Sequence, residues 1–250
     1  MASADRERAM KAEEQAAADR IFLETTRRLA PPILAHTDVA LALDAISTLR
    51  PVVDLGCGFG RHLAALQAQG VRAVGLDRSL LLLREVARLA PEAARVRGDL
   101  TRLPLRTGSV GAALCFYSSM FLGSLEDAQH ALHEAARILR PGGRLVLTTD
   151  NPLRLARQPH HEFETELTGL GRVRESSTFD AHTQIDTIDR TLTMSDGAVY
   201  SATFRIRYFL PDTLRELTAA AGLRWRQLVP DAPLTVDTPQ LACVLERQAW

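Results

Sequence analysis

VVDLGCGFGRH, residues 52–62, is the stretch on which the fold turns. An apolar run ends at Asp54, glycines follow at 56, 58 and 60, and a helix-favouring stretch comes next. Glycine lets the backbone turn sharply and approach a ligand without a Cβ clash, and the free amides of a helix start can face a carboxylate or phosphate. Such a strand-turn-helix unit is a seat for a small ligand. Dinucleotide-binding proteins use one as well, but their G-x-G-x-x-G spacing fails here because Arg61 stands where the last glycine belongs.

Outward from this stretch, short apolar runs alternate with amphipathic ones, the pattern of βαβ units on a parallel sheet. Strands are expected at 51–55, 71–76, 94–98, 110–116 and 144–150, with helices near 60–69, 79–90 and 126–139. The run Arg140-Pro141-Gly142-Gly143 stops the last of these helices and turns the chain into the next strand. Upstream, residues 5–30 favour a helix that ends at Pro31-Pro32, and 37–48 reads as a second helix. Beyond Asn151 the alternation breaks into about sixty residues rich in Thr, Arg and Asp. There, Asp196-Gly197 marks a hairpin whose second strand puts Tyr200, Ala202, Phe204, Ile206 and Tyr208 on one face. A helix from Pro211 to a stop at Gly222, then LRWRQLV and QLACVLER, close the chain.

Two further acids fall where a nucleoside would need them. Asp77 ends the second strand, where a carboxylate can accept both ribose hydroxyls. Gly98-Asp99-Leu100 follows the third strand and offers a carboxylate and an amide in sequence, suited to the exocyclic amine and a ring nitrogen of adenine. Asp54 either holds the glycine loop or meets an ammonium.

These motifs resemble the class I S-adenosylmethionine (SAM)-dependent methyltransferase family from about residue 50 onward. DLGCGFG looks like its first motif, VGLD the acidic second, RGDLTRLPL the third and ILRPGGRLVLTTDN the late motif. The similarity is greatest to a small-molecule branch, with GRH after the glycines, the loop CFYSSMFL after the fourth strand, and a β-rich lid before TFRIRYFLPDTLRELTAAAGL. Met120 and Phe121 depart from the more glycine- and tyrosine-containing loop of that branch.

The resemblance implies one Rossmann-like α/β domain: a seven-stranded, mostly parallel sheet with its last strand antiparallel, helices on both faces, and an inserted antiparallel lid. Its parts are a helical cap (1–48), a SAM-binding core (49–151), the lid (152–209), and a closing helix with the last two strands (210–250). It implies SAM as cofactor, with S-adenosylhomocysteine as product, held by Asp54, Gly56, Gly58, Asp77, Asp99, Leu100 and the backbone around Phe116. Cys57, Gly60 and Arg78 complete the expected cofactor set. The acceptor pocket is expected to take Tyr117, Ser119, Phe121, Asn151 and Arg205, since ligands in open α/β sheets sit beyond the strand ends. His160, His161 and Tyr117 are the candidate bases for an amine or hydroxyl acceptor.

Plainer readings stand beside these. His130 and His133 read as solvated helix residues, His160 and His161 as an exposed loop pair, and Arg205 and Arg207 as a wet strand face. His62 either lines the cofactor site or serves packing. Cys57, Cys115 and Cys243 lack the spacing of metal ligands and have no histidine partner for nucleophilic work, so they read as buried thiols with no metal site.

Thirty basic residues balance thirty acidic ones in a chain of 250 residues, which disfavours a nucleic-acid partner. Lys11 is the sole lysine, pointing to a GC-rich, bacterial coding sequence. No signal-like N-terminus or apolar span of about eighteen residues occurs, so a cytoplasmic protein, monomeric or homodimeric and off the membrane, is expected. A SAM-binding subunit without transfer activity, and an RNA or protein methyltransferase, are the rival readings.

Overall fold

The structure, a computed structural model, describes residues 2–46, 48–229 and 234–248, with side chains from residue 13 onward. The sole lysine's side chain thus lies outside the described residues.

Seven strands form one sheet in the order β10-β11-β5-β4-β1-β2-β3: β1 (Val52–Leu55), β2 (Ala73–Asp77), β3 (Ala94–Arg97), β4 (Val110–Cys115), β5 (Leu139–Asp150), β10 (Leu223–Val229) and β11 (Gln240–Arg247). β1 to β5 pair in parallel, and β11 runs antiparallel to both β5 and β10. All residues of β1 and β4 are buried, as both faces of a parallel sheet must be when helices cover them. α3 (Arg61–Ala68) and α4 (Leu80–Leu89) cover the sheet on one side together with α2 (Pro32–Ile46), while α5 (Leu125–Ile138) and α7 (Pro211–Ala220) cover the other. Ser79 caps α4 by accepting from Leu82 N–H at 3.3 Å, and Ser124 with Asp127 forms a capping box on α5.

The strand and helix order agrees with the sequence reading from residue 51 to Asp150 and again from Pro211 onward, and two details outside the inserted region differ. α2 begins at Pro32 rather than near 37, because proline is favoured in the first turn of a helix. Leu139 already pairs with Val110, so the Arg140–Gly143 turn is an excursion inside β5, after which Arg144 pairs with Ala112.

The inserted region is antiparallel as expected, and the hairpin at Asp196-Gly197 is the last turn of a four-stranded sheet. Its order is β6 (His160–Leu167), β7 (Gly171–Asp180), β8 (Ile185–Met194), β9 (Val199–Arg207), following the short α6 (Pro152–Arg157). Val173 and Phe179 of β7 share one face with Ile188 and Leu192 of β8, and the polar residues on that face, Glu175, Ser177, Asp186 and Arg190, are paired there, so this is the packed side of the sheet. α1 (Ala2–Leu29) lies against that side: Ile21 is fully buried among Leu167, Leu170, Val173 and Leu192. Arg190 on β8 donates to Thr25 Oγ1 at 2.9 Å and pairs with Glu175, tying lid to helix. Leu122 bridges to Ile206, so the lid is also joined to the loop after β4.

Candidate active site

A cavity of about 1300 Å³ opens beyond the carboxyl ends of β1, β2, β3 and β4. A drug-sized ligand fills roughly 300–1,000 Å³, so this volume admits a nucleoside cofactor together with an acceptor. Its floor is the glycine turn, its roof is α1, and its far wall is β8 and β9 of the lid.

The floor has the geometry the sequence predicts. Gly56 and Gly58 have φ of +73° and +56°, conformations that L side chains seldom adopt. A Cβ on Gly58 would stand 3.2 Å from the Phe22 ring of α1, so the turn also needs glycine to let the roof come close. Asp77 Oδ2 accepts from Gly58 N–H and Oδ1 from Ser79 N–H, both at 2.9 Å. Each carboxylate oxygen retains a second lone pair for a hydroxyl. Burial holds the Asp77 carboxyl above its ordinary pKa, partly offset by those two amides.

Asp54 is fully buried beneath the turn, and its Oδ2 has no hydrogen-bond partner among the described residues. Burial first, and Asp77 second, push its pKa up to about 7. A cation above the turn would supply what this carboxylate lacks.

Asp99 is exposed and lines the cavity, with Oδ1 accepting from Thr101 N–H at 2.8 Å and Thr101 Oγ1 at 2.7 Å. It therefore shapes its own turn as well as facing the cavity. Leu100, Cys57, Arg78 and Phe116 line the cavity too. Gly60 does not; it packs against Val86 at the start of α3. The Cys57 thiol is pushed well above its ordinary pKa by burial and by Asp54, and the Cys115 thiol up to about 12 by burial, so neither is a nucleophile.

His62 both packs and lines the cavity. Its ring stacks on Phe116 with centroids 4.1 Å apart, and its Nε2 lies 3.1 Å from Asp38 Oδ2 of α2. Burial lowers the imidazole pKa despite Asp38, so it is neutral at pH 7. Arg61 sits over the Tyr117 ring at 4.3 Å. Tyr117 and Ser118 at the tip of β4 have φ of 55° and 57°, a left-handed pair that turns the loop into the cavity.

The structure redistributes the other candidates. Tyr117, Ser119 and Arg205 line the cavity. Phe121 does not: it is fully buried in the core, edge-on to Phe209 at 5.1 Å, because the short helical turn Ser119–Phe121 carries it into the cluster that α5 and α7 form against the sheet. Asn151 is likewise structural. Its Oδ1 accepts from Leu153 N–H and its Nδ2 donates to the carbonyls of Thr235 and Thr238 at 2.7 Å each. His160 and His161 lie exposed on β6, the lid strand furthest from β9, and neither lines the cavity. His160 Nδ1 instead meets Thr178 Oγ1 at 3.2 Å. Tyr117 is no base either, since burial and Asp38 push its phenol up to about 12, which keeps the proton on it at neutral pH. Replacing His160 and His161 by Ala should leave the affinity of the cavity for its ligands within about twofold of wild type, measured by calorimetry.

Sequence reasoning missed Asp38, Asp150 and Arg190. Asp150 and Tyr208 line the cavity at the junction of β5 and the lid, and their side chains are hydrogen-bonded. The one available signal was that Asp150 ends a buried parallel strand, where ligands are met.

Residues 53–147 match the model of a methyltransferase domain family. Over 108 residues the chain is 40% identical to a demethylmenaquinone methyltransferase of Beutenbergia cavernae, covering 42% of this chain and 43% of that protein. The chain thus spans under half the length of the curated relatives it matches. Among solved structures it resembles the CcbJ methyltransferase from Streptomyces caelestis (TM-score 0.74, 22% identity, covering 88% of this chain and 91% of that one). It also resembles SAM-bound CalS10, an amino pentose methyltransferase from Micromonospora echinaspora (TM-score 0.64, 19% identity, covering 86% and 92%).

Proposed function

We propose that the chain is a class I SAM-dependent methyltransferase that transfers the SAM methyl group to a small-molecule nitrogen or oxygen nucleophile by in-line displacement, a reading supported by the match of residues 53–147 to a methyltransferase domain family. The observation that carries this reading is the cavity itself. Asp77, the glycine turn, Asp99-Leu100 and Phe116 converge on one side of it, and a lid wall with room for a second molecule faces them.

The residues present fit the cofactor. Asp77 would accept the ribose hydroxyls, Asp99 and the Leu100 amide would meet the adenine, and Asp54 would balance the methionine ammonium from below the turn. When bound, SAM supplies a methyl on a sulfonium, an electrophile that needs only an aligned nucleophile and the exclusion of water. α1 and the lid close the cavity from above: Phe22 seats on Gly58, and the Arg190–Thr25 hydrogen bond joins the two covers. Acceptor entry then requires these covers to part.

The amino pentose methyltransferase and the demethylmenaquinone methyltransferase support a small acceptor, as does the neutral overall charge. Incubating the protein with methyl-labelled SAM and a metabolite extract should place label on a small molecule, detected by mass. Label only on RNA or protein would assign a macromolecular acceptor, and SAM binding without any transfer would leave a non-catalytic SAM protein.

The raised pKa values of Asp54 and Asp77 make cofactor binding proton-linked. In the free protein Asp54 titrates near pH 7, so at pH 6 it is mostly protonated. A bound ammonium favours the carboxylate and lowers that pKa, so protons leave on binding and affinity rises with pH between 5 and 7. At pH 6 the free amino acid end of SAM is already an ammonium and takes up none. Calorimetry in buffers of differing ionisation enthalpy should therefore show release of roughly one proton per SAM. Zero release would remove the cation from the neighbourhood of Asp54.

A further inference from the structure

At the acceptor end of the cavity, the charged groups are unequal in what they have left to offer. Asp127 is spent capping α5 through Ser124, and Asp189 is exposed and accepts from Thr203 Oγ1 at 2.5 Å. Arg190 is committed to Glu175 and Thr25. Asp150, at the tip of β5, is partly buried and lines the cavity with Tyr208, whose hydroxyl donates to it. Tyr208 is only 5% exposed and follows β9, so the pair bridges the core sheet and the lid.

We propose that Asp150 and Tyr208 form the seat for the amino group of an amine acceptor, with Asp150 both binding the ammonium and taking its proton. This rests on the methyltransferase reading above. A half-buried carboxylate whose nearest cation, Arg154, is exposed attracts a further cation, and a hydroxyl acceptor would gain far less from it. An ammonium has no free electron pair. When its N–H proton moves to an Asp150 oxygen, the nitrogen keeps the pair with which it accepts a methyl, and the carboxyl then passes the proton to water.

The surroundings suit a carboxylate that changes protonation. Burial raises the Asp150 pKa; the exposed Arg154 on α6 and the Tyr208 hydroxyl oppose this, and Asp186 on β8 adds to it. Asp186 is buried and held by Ser177 Oγ at 2.7 Å, and Glu175 on β7 completes the negative field around Tyr208. The Tyr208 phenol is held well above its ordinary pKa by burial and by Asp150, so it remains the donor of the pair.

Sinefungin is a suitable probe, because it carries a primary ammonium where SAM carries its S-methyl group, while S-adenosylhomocysteine carries neither. Calorimetry at pH 7 should show sinefungin binding wild-type protein about tenfold or more tighter than S-adenosylhomocysteine. Asp150→Asn should keep the S-adenosylhomocysteine affinity within about twofold and lose the sinefungin preference. Tyr208→Phe, which preserves the ring packing, should lose part of the preference and carries the test should Asp150→Asn not fold. A preference that survives Asp150→Asn, or that is absent from wild type, overturns the proposal while leaving the methyltransferase reading intact. Failure of both ligands to bind wild type would instead sink the SAM reading on which the proposal stands.

Discussion

Asp77→Ala is expected to weaken SAM binding by about 100-fold, because it removes the carboxylate that, on the proposed reading, accepts from two ribose hydroxyls, each bond worth roughly 1.5 kcal/mol or more. The same carboxylate also holds Gly58 and Ser79 by their amides, so the substitution loosens the floor as well as removing a contact. Asp77→Asn separates the two effects. An amide oxygen can still accept from one backbone N–H, while the NH₂ end cannot accept from a hydroxyl, so a loss of about tenfold is expected. Thermal melting should show both variants folded, since Asp77 contributes nothing to the apolar clusters that hold the sheet. Unchanged affinity by calorimetry in Asp77→Ala would take the residue out of the site, and with it the alignment of the nucleoside across the tip of β2.

Phe121→Ala should act in the opposite sense, costing stability and sparing the cofactor. Its ring is fully buried among the residues that join α5 and the sheet, edge-on to Phe209 just before α7. Truncating such a ring removes its burial and leaves a cavity, a loss of about 3–5 kcal/mol by denaturant unfolding. For a chain of this size that corresponds to a fall in Tm of about 10 °C. SAM affinity of the folded fraction should stay close to wild type, because Phe121 does not line the cavity. A variant with normal stability and impaired methyl transfer would return Phe121 to the acceptor pocket.

The contrast between these two residues shows where the primary structure speaks for itself. Asp77 ends a strand whose apolar residues announce it, and that strand pairs directly with β1, so its end lies beside the glycine turn. Its position in the site follows from local pattern plus one rule about where ligands bind. Phe121 follows the end of β4 by a few residues, yet the left-handed pair Tyr117-Ser118 reverses the chain, so Tyr117 and Ser119 face the cavity while Phe121 turns into the core. Backbone reversals of that kind leave no periodic trace. Asn151 fails for a similar reason: its three hydrogen bonds reach Leu153 nearby but also Thr235 and Thr238 far along the chain.

By itself the sequence determined the order of strands and helices from residue 51 to Asp150 and from Pro211 onward, the glycine turn at 56–60, the strand-end acids Asp77 and Asp99 that line the cavity, and the alternating faces of β9. All of these are written in spacing over a few residues, because strand and helix periods and glycine's freedom act locally. Tertiary structure alone decided that α1 roofs the cavity, that His160 and His161 lie on the lid's far strand, that Asp38 reaches His62, and that Asp150 meets Tyr208. Those outcomes depend on which distant apolar faces bury one another. The Arg190–Thr25 bond spans 165 positions of sequence and sits one helical turn from Ile21, where α1 packs against the lid.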